Sequence, residues 1–203
     1  MSADSLATLR AFAFELAGMA KTGLEFVNNE YDRDRFERTL GIAEKLAAMT
    51  FPDGIPQSSE YLAELGVVTP KTGCTVAAFD ERRRILLIRR ADNGRWGLPG
   101  GYAEIGSPPS ANAIRELYEE TGFRGEIERL LGVFDTRVFG SAAPYQHYVL
   151  LFRARLVGGD AATSVETAEV RFSTADEVPD DMSPTQRAML EHAFSGSALP
   201  AYQ

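Results

Sequence analysis

The sequence predicts an α+β sandwich carried behind an N-terminal helical extension, and three observations predict it. Residues 3–50 repeat apolar side chains at helical spacing. From Cys74 onward, short apolar runs separated by polar turns read as strands. One amphipathic helix interrupts those strands near residues 108–121, and another closes the chain near 183–194. With 203 residues the chain is long enough for one domain with an appendage, or two small ones.

In the first helix, Leu6, Leu9, Phe12, Leu16 and Met19 form a wide apolar stripe, with Phe14 outside it and Asp4 or Ser5 placed to cap the start. Asn28 and Asn29 mark a break. A second helix, from about Asp32, repeats Phe36, Leu40, Ile42, Leu46 and Met49. The stretch from Pro52 to Pro70 is rich in Pro, Gly and Ser, holds a short helical candidate at Ser58 to Leu65, and reads as a linker. These features divide the chain into a helical extension over 1–65 and a second domain over 66–203. A hairpin of about 50 residues has too little interior to stand alone, so its stripe must pack on the second domain or on another subunit.

Strands are expected at Cys74 to Phe79, at Ile85 to Arg89 after a turn with Asp80 and Glu81, and at Ile127 to Phe134, Tyr148 to Leu156 and Val170 to Phe172. The closing helix runs from Ser183, which precedes a proline, to Phe194. A net charge of -8 argues against a general nucleic-acid surface, which needs many Lys and Arg to neutralise phosphates. Cys74 is the single cysteine, so there is no internal disulfide, and a reducing, cytoplasmic setting fits. The apolar stretch Ala11 to Ala20 is broken by Glu15 and lacks a basic leader, so it reads as neither signal peptide nor membrane span.

The chemistry is concentrated in residues 101–123, GYAEIGSPPSANAIRELYEETGF. At about 100° per residue, Glu116 and Glu120 fall about 40° apart and Glu119 about 60° to the other side, so all three acids face one way. Ile114, Leu117, Tyr118 and Thr121 follow the spacing of a buried face. Three like charges this close destabilise a helix unless a cation neutralises them, and carboxylate oxygens suit Mg²⁺ or Mn²⁺. Such a metal commonly bridges carboxylates to phosphates.

The segment resembles a Nudix box, G-x5-E-x7-R-E-U-x-E-E-x-G-U, where U is a bulky apolar residue. Gly101, Arg115, Glu116, Leu117, Glu119, Glu120, Gly122 and Phe123 match; Ser107 stands where the pattern has its first glutamate. The resemblance covers roughly residues 70–195 and implies a Nudix-type α/β/α sandwich with a mixed sheet. It also implies Mg²⁺-dependent (or Mn²⁺-dependent) hydrolysis of a nucleoside diphosphate linked to another moiety. Glu116, Glu119, Glu120 and the Gly101 carbonyl are then the expected metal ligands, with Arg115 orienting a metal-binding carboxylate. Gly100 and Gly101 keep the loop backbone free to approach metal and phosphate.

Ser107 followed by two prolines is a good helix start, with serine capping and Pro108 in the first turn. Its loss of charge implies a reduced metal shell, for which Glu104 is placed to compensate. A general base outside the box is expected at Glu166, six residues before Phe172, with Glu169 behind it. Arg89, Arg90, Arg95 and Trp96 surround the loop entering the box, and Tyr145 and His147 lie on the long connection after Phe134; Arg90, Trp96, Tyr145 and His147 are the substrate-binding candidates. For Trp96 and His147 a purely structural role is the ordinary alternative.

The two N-terminal helices are similar to the extension of Nudix enzymes grouped with CDP-choline and ADP-ribose pyrophosphatases, which implies a homodimer. The expected partner is a small nucleotide, not a membrane or nucleic acid. Two other readings are a nucleotide-sugar-sensing module that does not cleave its ligand and an RNA-processing Nudix enzyme. The intact Arg115-Glu116 and Glu119-Glu120 pairs favour catalysis.

Overall fold

A computed structural model describes residues 3–51, 69–104, 106–141, 143 and 145–202. The chain forms two compact units, Met1–Pro70 with Ala142–Gln146, and Lys71–Ser141 with His147–Gln203. The helical candidate at Ser58 to Leu65 lies outside the described residues.

The first unit is a helical hairpin of α1 (Ala3–Phe26) and α2 (Glu30–Met49). The chain is already helical at Ala3, so Asp4 and Ser5 fall within the helix and not before it. Asn29 caps α2: its Oδ1 accepts from the Asp32 amide at 2.9 Å, which starts the helix two residues before Asp32. The predicted stripes need correction. Phe12 and Met19 are 57% and 63% exposed, whereas Ala13, Phe14, Ala17 and Ala20 are buried. On α2, Ile42 and Met49 are exposed, and Ala43, Ala47 and Thr50 are buried.

The physical reason is approach distance. Alanines at i, i+4 and i+7 allow backbones to come close, which bulky residues prevent, so the contact within the hairpin is made by alanines while Leu6, Leu9, Leu16, Phe36, Leu40 and Leu46 of the stripes are only half-buried. Two contacts set the antiparallel register. Arg10 donates to the Thr50 carbonyl at 2.7 Å, and at Gly23 a Cβ would stand 2.5 Å from the Phe36 ring.

The second unit is built on a mixed sheet. Its strands are β1 (Lys71–Phe79), β2 (Ile85–Arg90), β3 (Trp96–Gly97), β4 (Gly100–Tyr102), β5 (Phe123–Asp135), β6 (His147–Gly159), β7 (Thr167–Ser173) and β8 (Ala201–Tyr202). Helix α3 (Pro109–Thr121) and helix α4 (Pro184–Ser195) complete it. The order is β3-β2-β1-β6-β5-β8, with β4 also paired to β1 and β7 to β2. β1 and β6 run parallel from Lys71↔His147 to Phe79↔Arg155, and the other long pairs are antiparallel. β5 and β6 pair from Phe123↔Gly159 to Asp135↔Tyr148, so backbone pairing carries both strands beyond their apolar runs.

Alternation along β1 divides the core. Cys74, Val76 and Ala78 pack with Ala113 and Leu117 of α3, whereas Ala77 packs with Met189, Leu190 and Ala193 of α4. A strand buried on both faces reads as a continuous apolar run, as residues 74–79 do. The result is the expected α/β/α sandwich with a mixed sheet. At the far end Ser183 caps α4 by accepting from the Gln186 amide at 3.3 Å, as its position before Pro184 predicts.

Candidate active site

The box is a strand, a pinned loop and a helix folded over β1. β4 runs antiparallel to β1 with Gly101 opposite Cys74. At Gly100 a Cβ would lie 2.4 Å from the Cys74 carbonyl oxygen. At Gly101 it would lie 2.8 Å from the Glu116 carboxylate. The two glycines therefore have separate roles: Gly100 permits strand packing, and Gly101 leaves room for an acid.

The helix start differs from the expectation. α3 begins at Pro109 with Pro108 at the cap position, and no side chain caps it. Ser107 lies one residue further out. The loop before the helix is anchored instead by Asn112, which is 1% exposed. Asn112 Oδ1 accepts from the Glu104 amide at 3.0 Å, while Nδ2 donates to the carbonyls of Ser107 at 3.1 Å and Pro108 at 3.3 Å. A buried amide with both ends used ties the loop to its own helix. At the other end Gly122, at φ 75°, donates its amide to the Tyr118 carbonyl, and a Cβ there would meet the Asp160 carbonyl oxygen at 2.4 Å.

The helix faces are rotated from the predicted pattern. Tyr118, expected inside, is 52% exposed, while Glu120 is 4% exposed. Leu117 and Thr121 are buried as expected. Glu120 tolerates burial because its Oε2 accepts from the Gly100 amide at 2.7 Å. Burial nevertheless pushes its pKa up to about 7; the Gly100 hydrogen bond opposes that rise, and the Glu116 charge adds to it. Glu116 is also shifted up, first by burial and then by the charges of Glu119 and Glu166, with Arg115 pulling the other way.

Arg115 gathers the acids. Its Nη2 lies 2.8 Å from Glu116 Oε1 and 3.2 Å from Glu104 Oε1, and its Nη1 lies 2.7 Å from Glu119 Oε2. Burial works against this guanidinium's charge, yet Glu116, Glu119 and Glu104 together raise its proton affinity. Glu166 is exposed, but its charge reaches Glu116, Glu120 and Arg90. The Ala91 amide donates to the Glu166 carbonyl at 2.8 Å, which joins that loop to the end of β2.

Arg90 is paired with Asp92 at 3.0 Å and feels both Glu120 and Glu166. Trp96 packs on the α4 side of the core with the Arg171 guanidinium 4.2 Å above its ring. His147 opens β6, and its ring lies 5.0 Å from that of Tyr102, the neighbour of Gly101; burial lowers its pKa. Tyr145 belongs to the first unit with Ala142–Gln146, whereas the box belongs to the second. Asn112 and Arg171 are absent from the sequence-based set. The proline pair before α3 was the available signal for Asn112, since a loop without those amides needs another anchor; nothing local announces Arg171.

Among the described residues, no group of three or more His, Cys, Asp or Glu side chains converges tightly enough to hold a metal. Glu119 is turned to Arg115. Glu116 and Glu120 remain as two mostly buried carboxylates, both shifted up by burial and Glu120 further by the Glu116 charge, beside a bare glycine backbone. An all-oxygen pair with unneutralised repulsion fits a hard divalent cation.

Comparison with known proteins gives the family. The NUDIX domain family matches residues 69–193, and a UDP-X-like, N-terminal oligomerisation domain matches residues 8–50. A Bacillus subtilis protein named "Putative ADP-ribose pyrophosphatase YjhB" is 33% identical over 188 residues, 88% of each chain. The crystal structure of a UDP-X diphosphatase is similar over 97% of this chain and 98% of its own, at 26% identity and a TM-score of 0.59. An ADP-ribose pyrophosphatase from Streptococcus suis matches over 66% of this chain and 98% of its own, at 27% identity and a TM-score of 0.55.

Proposed function

The chain belongs to the Nudix hydrolase family, and from that premise we propose that it cleaves the pyrophosphate bond of a nucleoside diphosphate linked to another moiety. ADP-ribose is the first candidate and CDP-choline the second. The observation that carries this reading is the Glu116–Glu120 pair, half-buried and buried, with the Glu116 charge acting on Glu120 and with Arg115 and Arg90 beside them. Acids that a cation would neutralise, with the Arg90 guanidinium close enough to feel Glu120 and Glu166 and paired only with the exposed Asp92 among the described residues, suit a diphosphate. Relatives named for ADP-ribose and UDP-X substrates support the substrate class.

When bound, Mg²⁺ or Mn²⁺ would neutralise diphosphate charge and make water more acidic. Glu116, Glu120 and Gly101 are the residues to hold it, with Glu119 a further ligand once released from Arg115. Arg115 fixes the orientation of Glu116. Glu166 takes the proton of the attacking water, as the water oxygen bonds to phosphorus and the bridging P–O bond breaks. Arg90 binds phosphate oxygens, while Trp96 and His147 are the second unit's candidates to contact the rest of the substrate.

The functional unit is a homodimer joined through the N-terminal helices. It is supported by the oligomerisation-domain match and by Phe12, Met19, Ile42 and Met49, which are all more than half exposed. No described helix is long and apolar enough to cross a membrane. A buried, lone cysteine suits the cytoplasm. Incubation with Mg²⁺ and a panel of nucleoside diphosphate derivatives tests the proposal. AMP plus ribose 5-phosphate, or CMP plus phosphocholine, is the expected product pair; no release from any member overturns it.

A further inference from the structure

Ser107 leaves the box one carboxylate short, and the loop that carries it delivers another acid to Arg115. Glu104 Oε1 lies 3.2 Å from Arg115 Nη2, the same nitrogen that holds Glu116 Oε1 at 2.8 Å. An exposed ion pair formed by chance would be worth little, and Glu104 is 62% exposed at its side chain. This one is prearranged. The buried Asn112 accepts from the Glu104 amide at 3.0 Å and donates to the Ser107 and Pro108 carbonyls, so the backbone is fixed on both sides of Glu104's turn. Within that turn the Ser107 amide approaches the Glu104 carbonyl at 3.4 Å, and Gly106 takes φ 92°, which places residues 104 and 107 at the two ends of one bend.

Arg115 also keeps a donor in reserve. Its Nε is buried and has no partner among the described residues. Without Glu104 the guanidinium is held by two acids instead of three and Nη2 keeps Glu116 alone, so the direction in which Arg115 draws Glu116 is less tightly set. We propose that Glu104 is a positioning residue: its carboxylate, presented by the Asn112-locked loop, holds Arg115 in the orientation that aims Glu116, in place of the acid missing at Ser107. Glu104 touches neither substrate nor reacting atoms; it acts through Arg115.

The proposal rests on the hydrolase reading only for its kinetic arm, so two readouts are used on the full chain. One is kcat and KM for ADP-ribose with Mg²⁺; the other is Mn²⁺ affinity by electron paramagnetic resonance titration without nucleotide. Glu104→Gln is expected to lower kcat about tenfold with KM little changed, and to weaken Mn²⁺ binding by a similar factor, as for the loss of an outer-shell partner. Adding Ser107→Glu to that variant restores both, because the new carboxylate starts from the same bend. Both positions are exposed, so thermal melting should be nearly unchanged. If Glu104→Gln matches the parent in Mn²⁺ affinity, or if the double variant stays as impaired as the single, the positioning role is wrong. Absence of ADP-ribose turnover in the parent overturns that substrate assignment, and the Mn²⁺ titration still decides the role of Glu104.

Discussion

The Gly100 amide donates to Glu120 Oε2 at 2.7 Å and so joins the strand that enters the box to the third acid of its helix. This contact makes a buried carboxylate tolerable without making it comfortable, since burial still places its pKa near 7. The ordinary value is 4.5, so between about pH 4.5 and 7 the folded state holds a proton that the unfolded state has released. Stability from this group is therefore present below pH 4.5 and lost as pH rises through 7, by on the order of 3 kcal/mol. In EDTA the melting temperature should carry a component that falls from pH 5 to pH 8. Thermal scans of the parent and Glu120→Gln check this, and identical pH slopes would refute it.

Glu120→Gln should also separate stability from activity. The glutamine oxygen can accept from Gly100, and no charge is buried, so melting at pH 8 should be no lower than in the parent. Hydrolysis should fall by at least about a hundredfold, because the carboxylate meant for the cation is gone. Steady-state kinetics beside calorimetry measure both.

Gly100→Ala and Gly101→Ala should fail differently. At Gly100 the added methyl meets the Cys74 carbonyl of a central strand, which cannot yield, so the expected loss is about 1–3 kcal/mol of stability. At Gly101 it meets the end of the Glu116 side chain, which can swing aside; turnover should drop while the melting temperature stays within a few degrees. Equal destabilisation by both would contradict this account.

Replacing Glu166 with Gln should cut kcat by roughly tenfold or more, with little effect on KM. Near-normal turnover would remove Glu166 from the mechanism.

Polar substitution of Phe12, Met19, Ile42 and Met49 together should yield a monomer by light scattering, because these exposed side chains supply the apolar area of the proposed dimer. Helicity by circular dichroism should persist, since the buried positions Ala13, Ala17, Ala43 and Ala47 are untouched.

Much of the fold was legible because its signals are local. The apolar run at residues 74–79 marks a strand buried on both faces, Ser183 before Pro184 marks a helix start, and Asn29 marks the bend between α1 and α2. The Arg115, Glu116 and Glu119 contacts likewise join residues a turn or less apart. Errors arose where neighbours distant in sequence chose between faces. Helical spacing permits either Tyr118 or Glu120 to point inward, and the Gly100 amide selects Glu120. Hydropathy favoured Phe12 and Met19 over alanines, but the closeness of two helices rewards small side chains.

By itself the sequence determined the elements, the family box and the types of group available for phosphate chemistry, because each depends on spacing within a few residues. Tertiary structure alone decided that Glu120 is buried, that Asn112 anchors the loop while α3 starts without a side-chain cap, and that Glu166 comes within electrostatic reach of Glu116 and Glu120. Those outcomes depend on desolvation and on backbone groups brought together by sheet pairing, and neither exists until the chain has closed.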